Sequence, residues 1–222
     1  MTANIAHEIK NPLVIIGGFT KRLAKKVQLD EREHRYIDII LKEVVRLESI
    51  LTEILSYVKE TPLLLETCDI NGLLDELLYL LASDKTWAQI EIVKQYDPGS
   101  PTIICDVQQI KQVLINILMN AFDAMNGRGT ITIKTEVAVR RDRSFVAISL
   151  TDTGGGIDPS LLDNIFNPFF TTKDRGSGLG LAISNKIVMH HNGHIEVQNK
   201  PGEGATFVVF LPVNSSLLPK EG

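Results

Sequence analysis

Cysteines, aromatic residues and long apolar runs are all scarce in this chain, and each shortage removes a class of function. Only two cysteines occur among 222 residues, Cys68 and Cys105. They form no CxxC pair and no metal-ligand spacing, so they read as buried or semi-buried free thiols of a reducing compartment. Aromatics make up 6% of the sequence, too few for a base-stacking platform, and the net charge of -4 leaves no basic face to grip a phosphate backbone. Nucleic acid is therefore not an expected partner. The longest apolar runs, such as residues 13–19, fall far short of the ~20 residues a membrane span needs. No basic segment leads into an apolar one as in a secretory signal. This stretch is expected to be cytoplasmic, without membrane contact.

The remainder is ordinary globular composition, 44% hydrophobic and 23% charged, in a length that suits one large domain or two modest ones. From residue 2 to 27, Ile5, Ile9, Leu13, Ile16, Phe19, Leu23 and Val27 recur at three- and four-residue steps, a helical stripe weakened locally by Gly17-Gly18. A polar break at residues 28–32 follows, with Asp30 placed to cap a second helix over residues 31–59. Two helices joined by so short a loop form an antiparallel hairpin. The hairpin has apolar surface to cover, and a homodimeric four-helix bundle is the expected solution, packing on the rest of the same chain being the alternative.

Residues 61–68, with Pro62, read as a linker between a hairpin domain over 1–60 and a mixed helix-and-strand domain over 69–214, followed by a tail over 215–222. In the second domain the patterns predict helices over about 72–83, 106–125 and 179–190, and a short one over 160–165. Strands are predicted over 90–96, 102–105, 129–139, 144–151, 194–199 and 206–213. The fold class is α followed by α/β, with a mixed sheet backed by helices.

Near the start, His7, Glu8 and Asn11 put an imidazole, a carboxylate and a carboxamide on one helix, and Pro12 cannot donate to the carbonyl of Glu8, so a loosened turn is expected there. His7 and Asn11 share a face. So little helix precedes His7 that the stretch reads as a piece of a longer protein. Taken alone, these residues fit an ordinary surface helix. Four stretches downstream converge on a nucleotide. Asn116 and Asn120, four apart, put two carboxamides on one face of an apolar helix, either as oxygen ligands for Mg²⁺ or as core groups tying down a loop. Asp152, at a strand end before Gly154-Gly155-Gly156, can accept from an exocyclic amine while the glycines admit a ring. Phe169-Phe170-Thr171-Thr172-Lys173 runs into Gly176-Ser177-Gly178-Leu179-Gly180 just before a helix, where backbone N–H groups can wrap phosphates under a mobile cover. Gly202-Glu203-Gly204-Ala205-Thr206 could bring a hydroxyl near the ring-binding carboxylate. The histidines at 190, 191 and 194 match no ligand spacing and read as a solvated helix end.

In order and spacing these stretches closely resemble the nucleotide-binding boxes of the sensor histidine kinases, and Ala6-His7-Glu8-Ile9-Lys10-Asn11-Pro12-Leu13 resembles the phosphoacceptor box of the same family. The likeness extends over nearly the whole chain. It implies a dimeric helical hairpin followed by an ATP-binding α/β sandwich of the Bergerat type. Carried over residue by residue, it makes Asn120 the Mg²⁺ ligand, with Asn116 beside the phosphates. Asp152 would bind the adenine amine, with Gly154, Gly156 and Thr206 near the ring, and Lys173, Gly176, Gly178, Leu179 and Gly180 would cover the phosphates. His7 would receive the γ-phosphoryl group, Glu8 hold or accept the imidazole proton, and Asn11 position water for dephosphorylation. The implied partners are a second copy of the chain and the receiver domain of a response regulator. Asp123 stands where some relatives have a basic or aromatic residue, so no phosphate contact is carried over to it. Two other functions compete: a conformational ATPase on the same nucleotide fold, which places a glutamate where this chain has Asn116, and a docking module that no longer binds nucleotide.

Overall fold

The computed structural model describes residues 2–26, 30–59, 62–99, 102–140, 142–173 and 176–213, and for residues 2–11 and 26 it describes the backbone alone. The chain divides into two compact units, Met1–Thr61 and Pro62–Gly222.

The first unit is the predicted hairpin, α1 (Thr2–Lys26) and α2 (Glu31–Val58). Helix α1 runs without a break through Pro12 and through Gly17-Gly18. Gly17 is buried, and a Cβ there would stand 3.2 Å from Val44 Cγ1 on α2, so the small residue sets how closely the two helices approach. Asp30 caps α2 as expected. Its Oδ1 accepts from the N–H groups of Arg32 and Glu33 (2.8 Å each), and Glu33 Oε2 accepts from the N–H of Asp30 (2.9 Å). This reciprocal box satisfies donors that a helix start otherwise leaves open. Ile37, Val44 and Leu51, seven residues apart, are the buried residues of α2, and each is worth about 1.5–3 kcal/mol on full burial. Ile15, Ile16, Phe19, Leu23, Ile39, Ile40, Val45 and Leu47 remain exposed.

Among the described residues the second unit holds seven strands and three α-helices: β1 (Glu66–Cys68), α3 (Ile70–Ala82), β2 (Ile90–Gln95), β3 (Ile103–Cys105), α4 (Val107–Ala124), β4 (Gly129–Arg140), β5 (Arg143–Asp152), α5 (Gly180–His190), β6 (His194–Lys200) and β7 (Gly204–Pro212). Five strands form one mixed sheet in the order β2-β4-β5-β7-β6, antiparallel except for the parallel pair β2-β4. Ile131, Ile133, Val146, Ile148, Leu150, Val209 and Leu211 are fully buried on one face of this sheet, against α4 and α5, with α3 packed on α4. The other face carries Phe145, Ala147, Val208 and Phe210, covered by His194, which stacks on Phe210 at 4.5 Å, and by Arg140.

Two elements depart from the sequence pattern. Residues 66–68, assigned to the linker over 61–68, form β1, which pairs antiparallel with β3 in a separate two-stranded sheet. The short helix expected over 160–165 is a 3₁₀ segment, Pro159–Asn164. Cys68 and Cys105 lie in β1 and β3, buried and free, and a hydrogen bond between the thiols pulls the Cys68 pKa below its ordinary value while burial opposes it.

Candidate functional site

Helix α4 is the spine of the site. Asp106 caps it through a bond from the N–H of Gln109 (3.1 Å), and its N–H donates to Nε2 of His191 (3.0 Å), whose Nδ1 meets the carbonyl of Ile187 (2.8 Å). His191 is therefore a buried, hydrogen-bonded core residue and not the solvated helix end the sequence suggested. Among the described residues no group of three or more His, Cys, Asp or Glu side chains is arranged to hold a metal.

Asn116 and Asn120 point from the same side of α4, with different partners. Asn116 Nδ2 donates to the carbonyl of Gly180 (3.1 Å) and to Ser184 Oγ (3.2 Å), tying α4 to the first turn of α5. Of the two sequence alternatives for this carboxamide, the contact made is the loop-tying one. Asn120 Oδ1 accepts from Lys173 Nζ (2.8 Å), and the same ammonium donates to Asp123 Oδ2 (2.6 Å). Two hard oxygen donors thus converge on a cation supplied by the chain itself.

At the far end of α4 the carbonyl of Ala124 meets Gly154, where a Cβ would stand 2.8 Å from it and 2.9 Å from Asp152 Oδ1. Asp152, the last residue of β5, is only 4% exposed. Its Oδ1 accepts from the N–H of Gly154 (2.8 Å) and, more weakly, of Ala205 (3.4 Å). Burial raises its pKa above the ordinary carboxylate value, and these backbone donors pull the other way. Gly204, at φ +123°, lies so close to the backbone of Asp152 that any side chain would collide with it. Gly156 (φ +71°) is in the left-handed region, and its loop is held by Asn199, which accepts from the N–H of Ile157 (2.7 Å) and donates to its carbonyl (2.6 Å).

Thr206 is a correction. Its hydroxyl bonds that of Thr151 (2.9 Å), its register partner on β5. Side chains alternate along a strand, so Thr151 and Thr206 share the sheet face opposite Asp152. Ala205 takes the position next to that carboxylate.

On the other flank, α5 starts at Gly180 with no side-chain cap from Leu179, leaving first-turn N–H groups for an anion. Leu179 is fully buried and its N–H is reached by Ser177 Oγ (3.2 Å). Gly178 (φ +70°) abuts the backbone of Phe169 and Phe170, where a Cβ has no room. Phe169 itself has φ +66°, an uncommon conformation for an aromatic residue. Gly178→Ala is expected to destabilise the second unit by about 1–3 kcal/mol in a denaturant melt, because both the backbone angle and the contact with Phe169 forbid the methyl group.

The structure brings together Asn116, Asn120, Lys173, Gly178 and Gly180 at one side of α4, and Asp152, Gly154 and Gly204 at its end. Ser184, Asn199 and Ala205 were missed from the sequence, and Asp123 was singled out there but given no role. Asp123 had a legible signal, lying three residues after Asn120 on the same helical face. The side chains of His7, Glu8 and Asn11 lie outside the described residues; the α1 backbone carries them.

A helical hairpin preceding a mixed-sheet unit of this kind, with a buried carboxylate among glycines at the end of α4 and the uncapped start of α5 beside its middle, defines a class of nucleotide-using phosphotransfer proteins. Residues 1–62 match the His Kinase A (phospho-acceptor) domain, and residues 105–215 match the family described as Histidine kinase-, DNA gyrase B-, and HSP90-like ATPase. The chain is 37% identical over 222 residues to Sensor histidine kinase ZraS of Escherichia coli (strain K12), spanning 100% of this chain and 47% of that protein. It is 35% identical to Sporulation kinase E of Bacillus subtilis (strain 168), spanning 97% and 29%. Among solved structures, full-length ShkA in complex with AMPPNP superposes with a TM-score of 0.80 at 27% identity, over 96% of this chain and 46% of that one. Histidine kinase ThkA in complex with response regulator protein TrrA gives 0.68 at 36% identity, over 96% and 61%. The chain belongs to the sensor histidine kinases of two-component systems, whose catalytic core it carries. It spans about half or less of the length of these two sequence relatives.

Proposed function

We propose that the chain autophosphorylates His7 from ATP and passes the phosphoryl group to an aspartate of a response-regulator receiver domain, which it also dephosphorylates with the help of Asn11. What carries the proposal is the presence, in one sequence, of a phosphoacceptor box on a helical hairpin and of a second unit whose buried Asp152 sits among glycines at the end of α4. Asp152 binds the adenine amine, which selects ATP. The free N–H groups at the start of α5 and the ammonium of Lys173 orient the phosphates. The paired oxygens of Asn120 and Asp123 already surround a cation, so they fit Mg²⁺, with Asn120 as its direct ligand. When bound, Mg²⁺ supplies neutralisation of the phosphate charge. Glu8 fixes the imidazole tautomer of His7 and takes up its proton, leaving a neutral nitrogen to attack. A second copy of the chain is the expected cover for the exposed stripe of Ile16, Phe19, Leu23, Ile40 and Leu47. The ThkA complex with a response regulator supports the receiver domain as partner.

The competing function, a conformational ATPase, needs a general base for water. At Asn116 the chain has an amide whose nitrogen is committed to Gly180 and Ser184, which disfavours that chemistry. A time course with γ-labelled ATP and Mg²⁺ separates the two. Acid-labile, base-stable label on the protein is expected, and steady phosphate release without labelled protein would instead establish the ATPase. Asn120→Ala should reduce labelling by at least 100-fold and remove the Mg²⁺ dependence of nucleotide binding; labelling at the wild-type level would refute the ligand assignment.

A further inference from the structure

Lys173 is expected to serve the phosphates and Asn120 the metal, yet in this structure they are bonded to each other. Lys173 Nζ donates to Asn120 Oδ1 at 2.8 Å and to Asp123 Oδ2 at 2.6 Å. An ammonium has three donors and no acceptor, so it suits a place where two oxygens from adjacent turns converge. Asn120 and Asp123 are three residues apart on α4 and form such a pair. The carboxylate is the stronger partner, because its bond is charge-assisted on both sides. While this contact holds, two of the three Lys173 donors are committed and Asn120 Oδ1 faces an ammonium in place of a metal.

We propose that Asp123 is a positioning residue that holds the Lys173 ammonium against Asn120 Oδ1, so that Lys173 and Mg²⁺ compete for one cation position. This rests on the assignment of Asn120 to the metal and Lys173 to the phosphates. Without Mg²⁺, ATP must draw the ammonium away from Asp123 to gain its charge, and binding is weakened. Asn120 Oδ1 would hold Mg²⁺ in place of the ammonium, and Lys173 would then turn to the phosphates, whose charge the metal would help neutralise. Asp123 thereby makes nucleotide binding depend more steeply on the metal, and discriminates against metal-free ATP. The acidic residue at a position where some relatives carry a basic or aromatic one then has a defined role.

The test is calorimetric titration of the full chain with AMPPNP, with Mg²⁺ and with the metal chelated, for the wild type, Asp123→Asn, Lys173→Met and the double variant. The Lys173–Asp123 pair is about half exposed, at 43% and 45% of side-chain surface, and pairs so exposed shift equilibria by about two- to fivefold. Asp123→Asn is therefore expected to tighten metal-free AMPPNP binding by about threefold and to shrink the ratio of metal-free to metal-bound Kd. In the Lys173→Met background the same substitution should give no tightening, since the ammonium it would release is gone. Unchanged or weaker metal-free binding by Asp123→Asn overturns the proposal. So does tightening that persists with Lys173→Met, which would mean that Asp123 simply repels phosphate. A wild type whose AMPPNP affinity ignores Mg²⁺ overturns the underlying metal assignment and the proposal with it. Thermal melts of all four proteins report whether each variant is folded.

Discussion

Asp152→Asn should lower ATP affinity about 100-fold or more while leaving the second unit folded and, at neutral pH, no less stable than the wild type. Affinity falls because the substituted amide presents an N–H₂ group where the adenine amine also donates. A lost charge-assisted hydrogen bond together with an unsatisfied buried donor is worth about 3 kcal/mol, or roughly two decades in Kd. The fold survives because both backbone donors, Gly154 and Ala205, bond to Oδ1, an oxygen that asparagine retains. Stability follows from the direction of the Asp152 shift. Its pKa is raised on folding, chiefly by burial. The folded chain therefore holds the proton more tightly than the unfolded one, and this favours the folded state in acid. That benefit is lost as pH rises from the unfolded value, about 3.9, through the higher folded value. At neutral pH the ionised carboxylate is a net cost of burial, which asparagine removes. ATP affinity of the wild type should show the opposite trend, weakening on acidification as the carboxylate is protonated. Calorimetric titration and thermal melts across the same pH range check both parts. A large loss of melting temperature in Asp152→Asn would mean that the carboxylate holds the fold rather than the ligand.

The parts of the molecule that were legible in the sequence are those governed by local chemistry. The Asp30 cap with Glu33 three residues on, the stripe that buries Ile37, Val44 and Leu51, and the hairpin of β4 and β5 all follow from short-range patterns. β1 escaped because three residues carry no periodicity, and because its partner β3 lies more than thirty residues away. Thr206 was misplaced for a reason of parity: a strand shifts every side chain to the other face with each residue, and only the register with Thr151 shows which face it takes. Asn116 and Asn120 look alike in sequence and differ in the fold because Gly180 and Ser184 reach only the first. The same holds for His191, whose two ring partners, the Asp106 N–H and the Ile187 carbonyl, are set by how the start of α4 meets the end of α5. The contact of Lys173 with Asp123 joins residues fifty apart, a pairing that no local pattern announces.

His7→Gln should abolish phosphorylation outright, the largest effect expected of any single substitution in this chain. Neutral imidazole at pH 7 has a nitrogen lone pair that can attack the γ-phosphorus, forming an N–P bond as the bond to ADP breaks, with the imidazole proton passing to Glu8. The amide nitrogen of glutamine has no such available lone pair, and any acyl phosphate on Glu8 would be cleaved in base and so would not be counted as this label. ATP binding is housed in the second unit, so AMPPNP affinity should be unchanged in the variant, which separates loss of the acceptor from loss of the nucleotide. The decisive measurement is the label carried by wild type and His7→Gln after incubation with γ-labelled ATP and Mg²⁺. Wild type should carry acid-labile, base-stable label and His7→Gln none, with equal AMPPNP binding by both; label of that stability persisting in His7→Gln would contradict the assignment of His7 as the acceptor.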